Sequence, residues 1–155
     1  MFDEKTRNRL SISAVFLVLL LAGCGSSGDD GQSGVDESRQ TMTDGGSFYV
    51  MYSPTKEPIP FNELFGMTVM VHDGEDHSQM LTDAQIEVEA RMPAHDHGMN
   101  TDPTVEKMED GSFMVEGMKF HMRSESPEER WEIHVDVTRN GTTERATFNV
   151  MCCGE

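Results

Sequence analysis

Trp131-Glu132-Ile133-His134-Val135-Asp136-Val137-Thr138 runs through Arg139-Asn140-Gly141 into Thr142-Thr143-Glu144-Arg145-Ala146-Thr147-Phe148-Asn149-Val150. Apolar side chains fall on alternate residues: Trp131, Ile133, Val135 and Val137, then Ala146, Phe148 and Val150. A strand turns successive side chains to opposite faces, so this spacing buries one face and leaves the other to water. Asn140-Gly141 supplies the positive-φ residues of a tight hairpin turn. Asn140-Gly141-Thr142 also matches a glycosylation sequon, but the turn explains it better. One hairpin cannot hide its apolar face alone and needs a second layer.

The same period recurs upstream. Phe65, Met67, Val69 and Val71 alternate with polar or smaller neighbours, and Ile86, Val88, Ala90 and Met92 alternate with Glu87, Glu89 and Arg91. Between residues 113 and 122 the parity breaks. Phe113 and Val115 share one face, Met118, Phe120 and Met122 share the shifted register, and Gly117 between them marks a β-bulge. No internal repeat or sustained helical period is visible. The chain is thus predicted to be all-β, an immunoglobulin-like antiparallel sandwich with strands near 47–53, 65–73, 84–92, 103–108, 112–122, 130–139 and 142–151. If each connection reverses the chain, alternate loops meet at one end. Loops 93–102 and 123–129 then share an end with Cys152-Cys153, while loop 74–83 with His77 falls at the other, together with the start of the first strand and hence the tether.

The N-terminus is a targeting segment, not part of the fold. Lys5, Arg7 and Arg9 precede an apolar run from Leu10 to Ala22, too short to span a bilayer comfortably as a helix. Leu21-Ala22-Gly23-Cys24 resembles the lipobox of bacterial lipoproteins, which implies cleavage after residue 23 and lipidation of Cys24. Gly25 in place of Asp resembles the outer-membrane sorting pattern. The expected location is the cell envelope, anchored by lipid and facing the periplasm. Residues 24–46 then form the lipidated Cys and a Gly/Ser/Asp-rich flexible tether with a reach of about 25 Å. The sandwich domain is expected over 47–155.

Charge narrows the partners. The 12 Lys and Arg against 28 Asp and Glu give −16, which disfavours nucleic acid and anionic lipid surfaces. Removing residues 1–23, which carry a net +1, makes the mature chain −16 − 1 = −17. Such a surface concentrates cations and steers a basic partner.

The unusual residues are 6 His, 13 Met and 3 Cys, types that all ligate soft metals. Met92-Pro93-Ala94-His95-Asp96-His97-Gly98-Met99 sets two imidazoles between two thioethers on one short loop. Imidazole suits copper or zinc, and thioether specifically favours Cu(I). Asp96 is read as a turn residue. Met122, on the inward parity, is placed beneath this loop, and His121 on the opposite face of the same strand. Met67, Met92, Met114 and Met118 also suit a core. Met51, Met70 and Met108 carry no special signal, and His72, His77 and His134 read as surface residues.

Cys152 and Cys153 admit three readings: a vicinal disulfide, intermolecular pairing, or a thiolate pair for a soft metal at the His95/His97 end.

The loop from Met92 to Met99, then Asp110-Gly111-Ser112-Phe113, Phe120-His121-Met122 and Trp131, resembles the YtkA/FixH-like family. The likeness covers residues 47 to about 150. Those small exported or membrane-tethered domains are immunoglobulin-like sandwiches linked to copper handling and oxidase maturation. The resemblance implies a copper site at Met92, His95, His97, Met99 and Met122. One departure is plain: Arg123 to Arg130 intervenes without a Gly where the family has a short Gly turn.

The expected function is a lipid-anchored metal-binding module that exchanges copper with an envelope protein through competing ligands. The alternative is a β-sandwich interaction domain in an envelope complex. No open three-ligand zinc site, nucleophile elbow, phosphate loop or Ser-His-Asp framework is visible, so the chain is not read as an enzyme.

Overall fold

A computed structural model describes residues 35–153. The leader, Cys24 and the tether up to residue 34 lie outside the described residues. The strands are β1 (Gln40–Met42), β2 (Phe48–Pro54), β3 (Phe65–Asp73), β4 (Gln85–Met92), β5 (His97–Gly98), β6 (Thr104–Lys107), β7 (Phe113–Met118), β8 (Trp131–Arg139) and β9 (Thr142–Val150). Two antiparallel sheets, β1-β2-β3-β7-β6 and β5-β4-β8-β9, make a β-sandwich.

The alternating residues build the core between the sheets. Trp131, Ile133, Val135 and Val137 of β8 are sealed from solvent, as are Val50, Met67, Val69 and Val115 of the other sheet. Burying each such side chain contributes about 1.5–3 kcal/mol. Asn140 and Gly141 take φ of 52° and 81°, closing the β8–β9 hairpin as expected.

Gly117 is the predicted bulge. Phe65 pairs with Met118 and Gly66 with Glu116, so Gly117 has no partner, and its φ of 90° suits glycine. Phe113 and Val115 before it, and Met118 and Phe120 after it, all reach the core across the slip.

Two boundaries need correction. The expected strand over 112–122 ends at Met118, because past the bulge the chain leaves the β3 ladder. Phe120 instead forms a parallel bridge with Phe61, and the Asn62 N–H donates to its carbonyl at 2.8 Å. The stretch assigned to the flexible tether is also partly folded. β1 pairs with β2, and Thr43 is buried. Glu144 accepts from the Thr43 hydroxyl, the Ser47 N–H and the Ser47 hydroxyl, fixing this segment to β9. A composition rich in Gly, Ser and Asp hid a short strand that pairs with its chain neighbour β2, and a following turn anchored by the distant Glu144.

The parity holds for the loops but not for the tether: β1 runs antiparallel to β2, and the Met151 N–H donates to Glu37 Oε1, so the chain enters the sandwich at the Cys152 end. Loop 74–83 meets the start of β2, with the Gly74 N–H donating to the Ser47 carbonyl at 3.0 Å and His77 stacked on Tyr49 at 3.9 Å. Loop 93–102, loop 123–129 and the Cys pair gather at the opposite end.

Candidate metal centre

Residues 92–99 form a compact hairpin. Pro93–His95 is one 3-10 turn, and Asp96 takes the left-handed conformation at φ 52°, its N–H donating to the Pro93 carbonyl. The carboxylate of Asp96 pairs with Arg91 at 3.3 Å and with neither neighbouring imidazole, in line with a turn role. Met92 then pairs with His97 and Arg91 with Gly98, and the Met99 N–H donates to the Ala90 carbonyl. Directly opposed residues share a face, so His97 lies on the same inward side as Met92.

His97 is the hub. Its Nδ1 lies 3.0 Å from the Gly98 carbonyl and its Nε2 3.0 Å from Met122 Sδ. A carbonyl can only accept, so the proton sits on Nδ1 in the neutral ring. Nε2 then presents a lone pair beside a thioether sulfur. A fixed Nδ1–H facing a backbone carbonyl is the usual device for freeing Nε2 as a ligand.

Two further imidazoles adjoin the hub. The His121 ring centroid lies 5.0 Å from that of His97, and the His95 centroid 5.9 Å. The Nδ1 of His121 is shielded from solvent and has no hydrogen-bond partner. Desolvation, then the nearby His97 and Lys119, push the His121 pKa down and favour the neutral form that ligates metals. His95 faces the other loop, with Nε2 3.4 Å from Glu129 Oε1.

Trp131 forms the floor. Its indole stacks on Phe120 at 4.7 Å and meets His97 and His121 edge-on. Its Nε1–H donates to the Met122 carbonyl at 2.9 Å and so fixes the backbone that carries the sulfur.

The candidate residues thus divide. His97, Met122, His121 and His95 converge. Placing His121 and Met122 on opposite faces was wrong, since neither residue lies in a strand and strand parity no longer governs them. Met92 is fully buried rather than at an exposed edge, so it supports the hairpin from the core. Met99 packs against the core and its sulfur accepts from the Lys119 N–H at 3.4 Å. Among the described residues no group of three His, Cys, Asp or Glu forms a metal cage, and the thioethers lie outside that donor set.

Cys152 and Cys153 are joined as a disulfide between neighbours, the first of the three readings. They clasp the segment after Met122: the Ser124 N–H donates to the Cys152 carbonyl at 2.7 Å, and the Cys152 N–H donates to Ser124 Oγ at 3.0 Å. Arg123 adds a bond to the Cys153 carbonyl.

Comparison with known proteins finds no matching family model and no matching curated sequence. The site's chemistry therefore rests on its own geometry.

Proposed function

We propose that the chain is an extracytoplasmic copper-binding module, tethered to the envelope through Cys24, that holds Cu(I) at His97 and Met122. The single observation that carries this is the 3.0 Å approach of His97 Nε2 to Met122 Sδ, with the tautomer set by the Gly98 carbonyl. One imidazole and one thioether make a soft, neutral donor pair that needs no deprotonation, which suits Cu(I) better than zinc. His121 and His95 are the nearest additional donors. The chain's −16 charge concentrates cations around the protein and favours a basic partner that accepts or donates the ion by ligand exchange. The short family resemblance points the same way.

Anaerobic Cu(I) titration of the full chain in detergent against a competing chelator tests this. Wild type is expected to hold one ion at this end, and His97→Ala/Met122→Leu to lose at least tenfold in affinity with an unchanged far-UV spectrum. Equal affinity in the two proteins would sink the proposal.

A second reading, an interaction domain, draws on the exposed Leu64 and Phe61, 58% and 38% accessible on one loop. It is favoured if copper binding fails while Leu64→Ser/Phe61→Ser abolishes a stable envelope complex.

A further inference from the structure

The outer face of the five-stranded sheet carries a second collection of soft donors, at the opposite end from His97. Val50, Val69 and Val71 turn inward, so alternation sends Tyr49, Met51, Met70 and His72 outward. The register then makes them neighbours. Met51 lies opposite Met70, Tyr49 lies opposite His72, and Met80 bridges His72 from the other side. Directly opposed residues hold their β-carbons about 5 Å apart. All of these side chains are half-buried, neither in the core nor fully in water.

His72 is the second, independent sign. Both of its ring nitrogens are closed off from solvent, and neither has a hydrogen-bond partner. Buried polar atoms are nearly always satisfied, so these two nitrogens leave room for a partner the chain itself does not supply, a water or an ion. Its neighbours offer sulfur rather than oxygen. Thioethers are poor acceptors for an imidazole N–H, but with an imidazole lone pair they form a donor set selective for soft monovalent ions. Methionine's three rotatable bonds let a sulfur swing onto an ion without moving the backbone.

We propose that His72, Met70 and Met80, with Met51 behind them, form a second soft-cation site for Cu(I)-class ions. It is separate from the His97 centre and does not rest on it. The ion is held by one ring nitrogen and two thioethers, so no proton need be released and no electron moves.

Silver(I), a redox-inert analogue, is the probe. The full chain, labelled at its methionine methyl carbons, is titrated in chloride-free buffer containing detergent. The Met70 and Met80 methyl signals are expected to shift in wild type. Met70→Leu/Met80→Leu, a near-isosteric pair, is expected to lose one bound equivalent that His97→Ala/Met122→Leu retains. The wild-type methyl shifts keep the test independent of how any variant folds. Unmoved Met70 and Met80 signals with an unchanged silver count in the leucine variant would overturn the site and leave this face a packing surface. One equivalent that only the leucine variant loses would uphold it while removing the His97 centre.

Discussion

Trp131 couples the core to the candidate centre through a single hydrogen bond. Its ring is sealed between the sheets, yet its Nε1–H reaches the Met122 carbonyl. Trp131→Phe keeps part of the stacking on Phe120, deletes that donor and leaves a smaller ring in the core. The expected cost is about 1–3 kcal/mol, from the lost bond and the space left by the smaller ring. Copper affinity should also fall, because the Met122 backbone is no longer held. Urea denaturation and chelator competition read the two effects separately, and an unchanged copper affinity would mean that the Cys152–Ser124 clasp alone positions Met122.

Elements matter where they stop. The bulge at Gly117 releases β7 from its ladder and lets the chain carry Phe120 inward and Met122 toward the hairpin after β4. A Cβ at Gly117 would meet nothing nearer than 3.5 Å, so the cost of Gly117→Ala is conformational, from φ near 90°. Forcing a non-glycine residue there costs about 1–3 kcal/mol. The expected result is a lower urea midpoint with an unchanged slope. A neutral outcome would show that the bulge relaxes to another register.

Across the whole molecule, the outer face of β8 and β9 is held by charge rather than packing. Arg145 donates two bonds of 2.7 Å to Asp136 and also reaches Glu89. The guanidinium bonds hold the Asp136 carboxyl below its usual range, against a smaller desolvation effect. The folded pKa is thus lower than the unfolded one. Its stabilisation is present above about pH 4 and drains as pH falls through the lowered value. Because both groups are partly solvated, Asp136→Asn should cost only about 1 kcal/mol at neutral pH. The deficit should shrink in strong acid. Urea midpoints at neutral pH and near pH 2 check this, and a deficit that persists unchanged in acid would assign it to packing.

The alternating residues of 65–73, 84–92, 131–139 and 142–150 determined the sandwich by themselves, because burial with period two is a local code for a strand. The Gly117 bulge and the Asn140-Gly141 turn were equally local, and counting reversals from them brought the right loops to one end. Which side chains meet there was decided only by tertiary structure. His121 and Met122 flank His97 because, once the chain has left its ladder, Phe120 is held by Phe61 and Asn62, residues distant in sequence. The turn after β1 read as tether in the same way, and only Glu144, distant in sequence, anchors it through Thr43 and Ser47. His72 passed as a surface residue for the same reason. The sequence shows an imidazole on the polar face of a strand, whereas only the register of β2, β3 and the segment at Met80 sets it among methionines.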